Sequence, residues 1–185
     1  GLLIMGASGC GKSSILRAIA GLWNSGTGTI YRPPLAEILF LPQRPYLILG
    51  SLRDQLLYPR TDLNISDAKI YQALEEVNLP DLAARFGGLD IVQNWDSVLS
   101  MGEQQRVAFA RLLLTKPRYT ILDEATSALD VENEQGLYQH LQTLSTTYIS
   151  VGHRPTLLQY HHQVLEVFGD QTWQVSDRAT YKSEA

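Results

Sequence analysis

Eight residues near the start of the chain have the types and spacing of a loop that binds phosphate. Gly6 to Ser13 read Gly-Ala-Ser-Gly-Cys-Gly-Lys-Ser and fit the pattern G-x-x-x-x-G-K-[ST]. Glycines let the backbone turn tightly with its N–H groups facing inward, and a helix that starts near Gly11 adds the positive end of its dipole. The pattern therefore predicts an anion-binding cradle.

Individual side chains of this loop have distinct predicted roles. Lys12 supplies a cation for the β- and γ-phosphates of a nucleotide, and the Ser13 hydroxyl is placed to ligate the accompanying Mg²⁺. Cys10 is interpreted as a small side chain tolerated in the loop, with a redox thiol as the alternative. The residues expected to bind nucleotide here are Gly6, Ser8, Gly9, Cys10, Gly11, Lys12, Ser13 and Ser14.

The alternative for the loop as a whole is a glycine-rich turn before an ordinary helix. The apolar run Leu2 to Met5 is short enough for a buried strand, and Ile15, Ile19 and Leu22 recur at helical spacing after the loop. This order of strand, loop and helix is the context that the pattern requires, so it favours nucleotide binding.

Three later apolar runs also lead directly into a chemically useful side chain. They are followed by Gln43, by Asp123 with Glu124, and by His153. Because ligands of an open parallel α/β sheet lie at the carboxyl ends of its strands, these groups are expected to converge with the phosphate loop. The predicted strands are residues 2–5, 38–41, 119–122 and 147–151.

The predicted chemistry of this edge is attack of water on a γ-phosphate. Asp123 contributes to magnesium binding, Glu124 is the general base or water-positioner, and His153 contacts the phosphate. Gln43 contacts the metal or the attacking water, and Lys12 completes the catalytic set. The alternatives are a helix-capping pair at 123–124, a structural histidine and a loop amide.

Composition narrows the class of protein. A chain of 185 residues suits one domain with a small insertion. A net charge of −4 without a basic stripe disfavours nucleic acid as a partner. The single cysteine excludes an internal disulfide, and no apolar run approaches the roughly 18 residues of a membrane span.

Helix and hairpin signals fill the rest of the chain. Residues 51–99 are predicted to be mostly helical, with a helix opening at Ser66. Ser100 and Glu103 form a capping-box pattern at the start of a further helix that Pro117 ends. Two runs at 164–167 and 172–175 predict a hairpin whose turn includes Gln171, and the polar tail from Asp177 is expected to fray.

The order and spacing of these residues resemble an ABC transporter nucleotide-binding domain. Leu99 to Gln105, Leu-Ser-Met-Gly-Glu-Gln-Gln, is the most specific segment because it resembles the signature of ABC ATPases rather than of phosphate-loop proteins generally. Phe40 to Pro59 resembles the subgroup of peroxisomal acyl transporters and bacterial half-transporters, in which a membrane domain precedes the ATPase. The other matching segments are Gly6–Ser13, Gln43, Tyr119–Glu124, Ser127–Asp130 and His153.

The resemblance implies an α/β fold with a P-loop NTPase (RecA-like) core and a mostly parallel sheet. Residues 1–50 and 105–185 would form that core, and 51–104 an inserted helical subdomain that carries the signature. The family's upstream strands and its adenine-stacking aromatic residue would lie before Gly1, so an N-terminally truncated domain is expected.

The resemblance also implies an ATPase that uses Mg²⁺ and drives solute transport. In a head-to-tail dimer, each ATP would lie between the P-loop of one copy and Ser100, Gly102 and Glu103 of the other, with 127–130 along the seam. The segment 51–99 would dock on a transmembrane domain, fused upstream in the same chain, at the cytoplasmic face of a membrane.

One departure and two alternatives accompany this interpretation. Met101 stands where the family usually has glycine, which would alter the backbone approach to the partner's γ-phosphate. A soluble ABC ATPase acting on ribosomes or DNA is the alternative function, but the interval from Lys12 to Asp123 leaves room for only a small insertion. The signature segment disfavours a P-loop kinase.

Overall fold

Strands and helices alternate along much of the chain, as a sheet covered by helices requires. The computed structural model describes residues 1–23, 25–170 and 172–181. The strands are β1 (Leu2–Met5), β2 (Ile38–Leu41), β3 (Gly50–Ser51), β4 (Val92–Gln93), β5 (Tyr119–Asp123), β6 (Thr147–Val151), β7 (Gln163–Val167) and β8 (Trp173–Asp177). The α-helices are α1 (Lys12–Ile19), α2 (Leu52–Leu57), α3 (Asp67–Glu76), α4 (Leu82–Phe86), α5 (Trp95–Val98), α6 (Met101–Thr115) and α7 (Val131–Thr143). Short 3₁₀ helices cover Leu35–Glu37 and Pro155–Tyr160.

Six strands form one sheet in the order β2-β5-β6-β1-β7-β8. The pairs β5–β6, β6–β1 and β1–β7 are parallel, and β8 adds an antiparallel edge beside β7. The predicted α/β fold with a mostly parallel sheet is therefore confirmed, as is the hairpin at its edge. Gln171, predicted in the hairpin turn, and the last four residues of the predicted tail lie outside the described residues.

The chain forms two compact units. The first comprises Gly1–Phe40, Arg118–Glu124 and Thr147–Ala185, and the second comprises Leu41–Pro117 and Ala125–Thr146. The boundaries predicted for the helical subdomain that carries the signature, 51 and 104, stay a prediction, as does the docking of 51–99.

The core of the first unit lies between α1 and the sheet. Its buried members are Ile4, Leu16, Ile121, Val151 and Val167. The apolar runs predicted as strands are buried here because α1 packs on the sheet and removes their side chains from water. Each fully buried aliphatic side chain stabilises the fold by about 1.5–3 kcal/mol.

One residue of the predicted apolar face of α1 is misplaced. Leu22 is exposed, because the helix ends at Ile19 and Gly21 then turns the chain with a φ of 75°. The fully buried residue of this helix is Leu16 instead. Ile15 and Ile19 are partly buried against the core, so helical spacing found part of the face, missed Leu16 and placed the end of the helix too late.

The second unit is organised around α6, which packs against α2, α3 and α7. The ring of Phe109 on α6 meets Tyr138 on α7 edge-on at 6.3 Å. On α3, which begins after Ser66 as predicted, Ile70 and Leu74 are buried. No helix within the described residues is long and apolar enough to cross a membrane.

A small antiparallel pair, β3 with β4, lies within the stretch predicted to be mostly helical. Each strand has only two residues and Val92 is exposed, so the sequence carries no alternation that would reveal them.

Candidate nucleotide site

The backbone of the loop between β1 and α1 depends on glycine. Gly9 and Gly11 have φ values of 80° and 103°, which side chains with a Cβ rarely adopt. At Gly6 a Cβ would overlap the carbonyl oxygen of Val167 and approach the Cys10 sulfur to 2.8 Å. The loop therefore owes its shape to residues without side chains.

The start of α1 is open to an anion. Gly11 occupies the cap position, no side chain caps the helix, and its first turn holds no acidic residue. Helix N–H groups and the helix dipole attract negative charge at such an end. The predicted anion cradle thus has the expected backbone form.

Lys12 lies inside the loop that precedes it. Its ammonium group donates to the carbonyl oxygens of Gly6 at 2.8 Å and Ala7 at 2.7 Å, and it lies 4.0 Å from the Cys10 sulfur. The side chain is buried, so a phosphate oxygen that enters the loop meets a cation already in place. Cys10 packs against the core of the first unit, which agrees with its interpretation as a small loop residue.

Ser13 and Asp123 are in direct contact. The Ser13 hydroxyl donates to Asp123 Oδ1 at 3.0 Å, which joins the first turn of α1 to the end of β5. Within the described ranges no group of three or more His, Cys, Asp or Glu side chains could hold a metal by itself. A hydroxyl and a carboxylate nevertheless fit Mg²⁺, which is usually held by one or two protein oxygens together with phosphates and water.

Glu124 has a strained backbone. Its φ is 49°, in the left-handed region that non-glycine residues seldom occupy, and its N–H donates to the Val151 carbonyl at 3.1 Å. Such strain costs on the order of 1–3 kcal/mol and concentrates at functional sites. Because Asp123 pairs with Val151 in the sheet, the residues after β5 and β6 emerge at the same edge.

A cleft of about 540 Å³ brings these groups together in the first unit, a volume within the usual range for ligand sites. Cys10 and Ser14 belong to the predicted set but do not line it. Asp123 reaches the site through Ser13. The lining residues are Gly6, Ser8, Gly9, Gly11, Lys12, Ser13, Glu124 and His153.

The remaining predicted residues lie in the second unit, where α6 begins with a complete capping box. Ser100 Oγ accepts from the Glu103 N–H at 3.3 Å, and Glu103 Oε2 accepts from the Ser100 N–H at 2.8 Å. The Ser100 hydroxyl also donates to Glu103 at 3.0 Å. Gly102 is the second residue of the helix, and Met101, at the first, is exposed.

Arg85 of α4 supports this box, since its guanidinium donates to Glu103 Oε1 at 2.5 Å. Burial alone would raise the pKa of the Glu103 carboxyl, but hydrogen bonds from Arg85 and Ser100 outweigh it and hold that pKa below its ordinary value. Glu103 is therefore an anion at neutral pH, and its carboxylate caps the N-terminus of its own helix through Ser100.

Gln43 also lies in the second unit, where its backbone carbonyl oxygen accepts from Gln105 Nε2 at 2.7 Å. Sequence reasoning missed Arg85 and gave Gln105 no role of its own. No local pattern links Arg85 to Glu103. For Gln105 a signal exists, because it precedes Phe109 by one turn on the buried face of α6, and a polar residue there must find partners.

Comparison with known proteins agrees with this geometry. The ABC transporter family matches residues 2–127. An uncharacterized ABC transporter ATP-binding protein of Synechocystis is 65% identical over 175 residues, covering 95% of this chain and 26% of its own. The chloroplastic ABC transporter D family member 2 of Arabidopsis thaliana is 43% identical over 227 residues, covering 95% and 32%.

Among solved structures, a bacterial Atm1-family ABC exporter with ATP bound superimposes with a TM-score of 0.81 at 27% identity, covering 96% of this chain and 33% of its own. The chain thus spans about a quarter to a third of the length of these proteins. Both the matched residues and the fold show that this chain belongs to the ABC transporter family and corresponds to its ATP-binding part.

Proposed function

We propose that this chain binds and hydrolyses ATP with Mg²⁺ as the motor domain of a transporter that moves a solute across a membrane. The observation that carries the proposal is the cleft lined by the phosphate loop, Glu124 and His153. Ser13, which lines this cleft, is hydrogen-bonded to Asp123.

Binding begins at the loop. Phosphate oxygens replace the carbonyls of Gly6 and Ala7 as partners of the Lys12 ammonium, and backbone N–H groups of the loop and of α1 donate to them. This exchange favours the ligand, because a charged phosphate is a stronger acceptor for an ammonium group than a neutral carbonyl.

Ser13 and Asp123 would hold Mg²⁺, with the Ser13 hydroxyl turning its oxygen from Asp123 to the metal. When bound, Mg²⁺ neutralises charge on the phosphates. Asp123 lies at the end of a strand paired along its length with β6, so it keeps its place without a metal.

Hydrolysis is assigned to Glu124. Its carboxylate accepts a proton from water as the water oxygen bonds to the γ-phosphorus and the bond to the β-γ bridging oxygen breaks, which releases ADP and phosphate. His153 donates a hydrogen bond to the γ-phosphate. Gln43, predicted from its position after a strand, is proposed to contact the metal or the attacking water.

Two copies are proposed to pair head to tail, with Ser100, Gly102 and Glu103 of one facing the ATP of the other. The support is the N-terminus of α6, where helix dipole and N–H groups favour an anion. Residues 127–130 would line the seam.

The membrane partner is proposed from the relatives. They are named as transporters or exporters, and they are three to four times as long as the matched segment. A transmembrane domain fused upstream would fit this difference, with residues 51–99 of the helical subdomain docking on it and the ATPase at the cytoplasmic face. The transported solute is set by that domain.

The test is titration of ATP with Mg²⁺ together with release of phosphate, for the native chain and Lys12→Ala. Loss of the ammonium group removes a charge-assisted bond worth about 1.5–3 kcal/mol, so affinity should fall about 10- to 100-fold. Lys69→Ala, an exposed lysine on α3, is the matched control and should bind normally. Unchanged affinity in Lys12→Ala, or phosphate release that persists in EDTA, would contradict the proposal.

A further inference from the structure

The Gln105 side chain joins two loops to the signature helix α6. It is fully buried, and its Nε2 donates to the Gln43 carbonyl at 2.7 Å and to the Ser127 hydroxyl at 3.3 Å. Its Oε1 accepts from the Ala128 N–H at 3.0 Å. Both ends of the amide are therefore used.

These bonds are long-range. Their partners are 62, 22 and 23 residues away along the chain, and none belongs to α6 itself. Burying an amide is unfavourable unless it is hydrogen-bonded, and an apolar side chain would fill the same space at no such cost. The amide is thus explained by the loops that it connects.

The neighbouring Gln104 shows a different arrangement. It too is buried on α6, but its Nε2 donates to the carbonyls of Asp96 at 3.2 Å and Leu99 at 3.1 Å, in the segment just before the helix. Its Oε1 has no partner among the described residues. Two adjacent buried glutamines therefore differ in their partners: Gln105 reaches the loops of Gln43 and Ser127, whereas Gln104 bonds only to the segment just before the helix.

We propose that Gln105 is a positioning residue that fixes the loop of Gln43 and the loop of Ser127 to Asp130 relative to the helix that begins at Ser100. The inference rests on the proposed function, in which both loops and Ser100 serve ATP hydrolysis in a pair of copies. In this proposal Gln105 contacts neither nucleotide nor metal and sets the spacing of Gln43, the seam residues 127–130 and Ser100.

The chemistry of the three partners selects an amide. The Gln43 backbone carbonyl needs a donor and the Ala128 N–H needs an acceptor, while the Ser127 hydroxyl can pair with either end of the amide. In Gln105→Glu the shape is kept, but a carboxylate oxygen replaces the NH₂ and faces the Gln43 carbonyl, so that link is lost. Gln105→Met keeps the volume and loses all three bonds.

The experiment compares kcat and KM for ATP, with melting temperatures, in the native chain, Gln105→Glu, Gln105→Met and the control Gln104→Met. Both Gln105 variants should lose about tenfold in kcat, the equivalent of one to two net hydrogen bonds, with KM within about twofold. Gln104→Met should lose a comparable amount of melting temperature and keep kcat within about twofold. Amide exchange at Ala128 should speed up in Gln105→Met alone.

Three results would overturn the inference. They are unchanged kcat in both Gln105 variants, an equal loss of kcat in Gln104→Met, and failure to fold of both Gln105 variants while Gln104→Met folds, which would assign Gln105 to folding only. A native chain that does not release phosphate would instead contradict the proposed function.

Discussion

The two helices that begin at the characteristic motifs of this chain are capped in opposite ways. The helix α1 starts at Gly11 with no side-chain cap and no acidic residue in its first turn. The helix α6 starts at Ser100 with a closed capping box and Glu103 in its first turn. One N-terminus is shaped by backbone conformation, and the other by side chains.

Under the proposed function, this difference fits two helix ends that act at different steps. The N-terminus of α1 has no acidic side chain to compete with a phosphate. The Lys12 ammonium group already lies within the adjoining loop, bonded to its carbonyls. At α6 the Ser100 hydroxyl already donates to Glu103, so it must exchange that partner before it can donate to a nucleotide. We infer that the first site binds ATP independently and that the second responds to it.

The largest effect is expected at Glu124. Glu124→Gln keeps size and polarity but removes the proton acceptor, so turnover should fall by about 10²–10⁴. ATP affinity should stay unchanged, because the cation and N–H groups of the loop are intact. Single-turnover hydrolysis measures this directly, and an undiminished rate would remove Glu124 from its assigned role.

Sequence could predict those features of the two helix starts that are encoded by neighbouring residues. The phosphate loop and the capping box are encoded within eight and four consecutive residues, and the capping box is confirmed by its hydrogen bonds. Continuous apolar runs predict buried strands. The structure confirms two of them, which end at Met5 and Asp123.

What sequence could not predict depends on contacts made through folding. The bonds of Arg85 to Glu103 and of Gln105 to Gln43 join residues that are distant along the chain. Likewise, Glu124 has a left-handed backbone and donates its N–H to Val151, a residue of another strand. Residue type and spacing carry no information about these pairs.

An intermediate effect is expected from changing the backbone at α1. In Gly11→Ala the added Cβ meets no atom within 4 Å, so its cost is the left-handed φ of 103° alone, about 1–2 kcal/mol. ATP affinity should fall about 5- to 30-fold if the loop relaxes to a lower φ. Gly136→Ala, with equal space but within α7, is the control and should leave affinity unchanged or stabilise the chain. Normal affinity in Gly11→Ala would show that the loop does not depend on backbone shape.

The smallest effect concerns the charge at α6. Because the pKa of Glu103 is lowered by folding, its stabilisation is complete above its ordinary value of 4.5 and is lost as the pH falls through the folded value. Arg85 is about half exposed, so the contribution should be under about 1 kcal/mol. Urea unfolding should give the native chain a larger free energy of unfolding than Glu103→Gln at pH 6. This difference should be smaller at pH 3.5. An advantage that does not change with pH would mean that Glu103 acts without its charge.

The most direct test of the central claim is sedimentation of the chain with ATP and Mg²⁺ in a Glu124→Gln background, with and without Ser100→Arg. Slow hydrolysis should hold ATP in place, so Glu124→Gln should double its mass when ATP is added. The added arginine should leave ATP affinity unchanged and keep the chain monomeric, because it blocks the N-terminus of α6. Doubling that persists in Ser100→Arg would contradict the account.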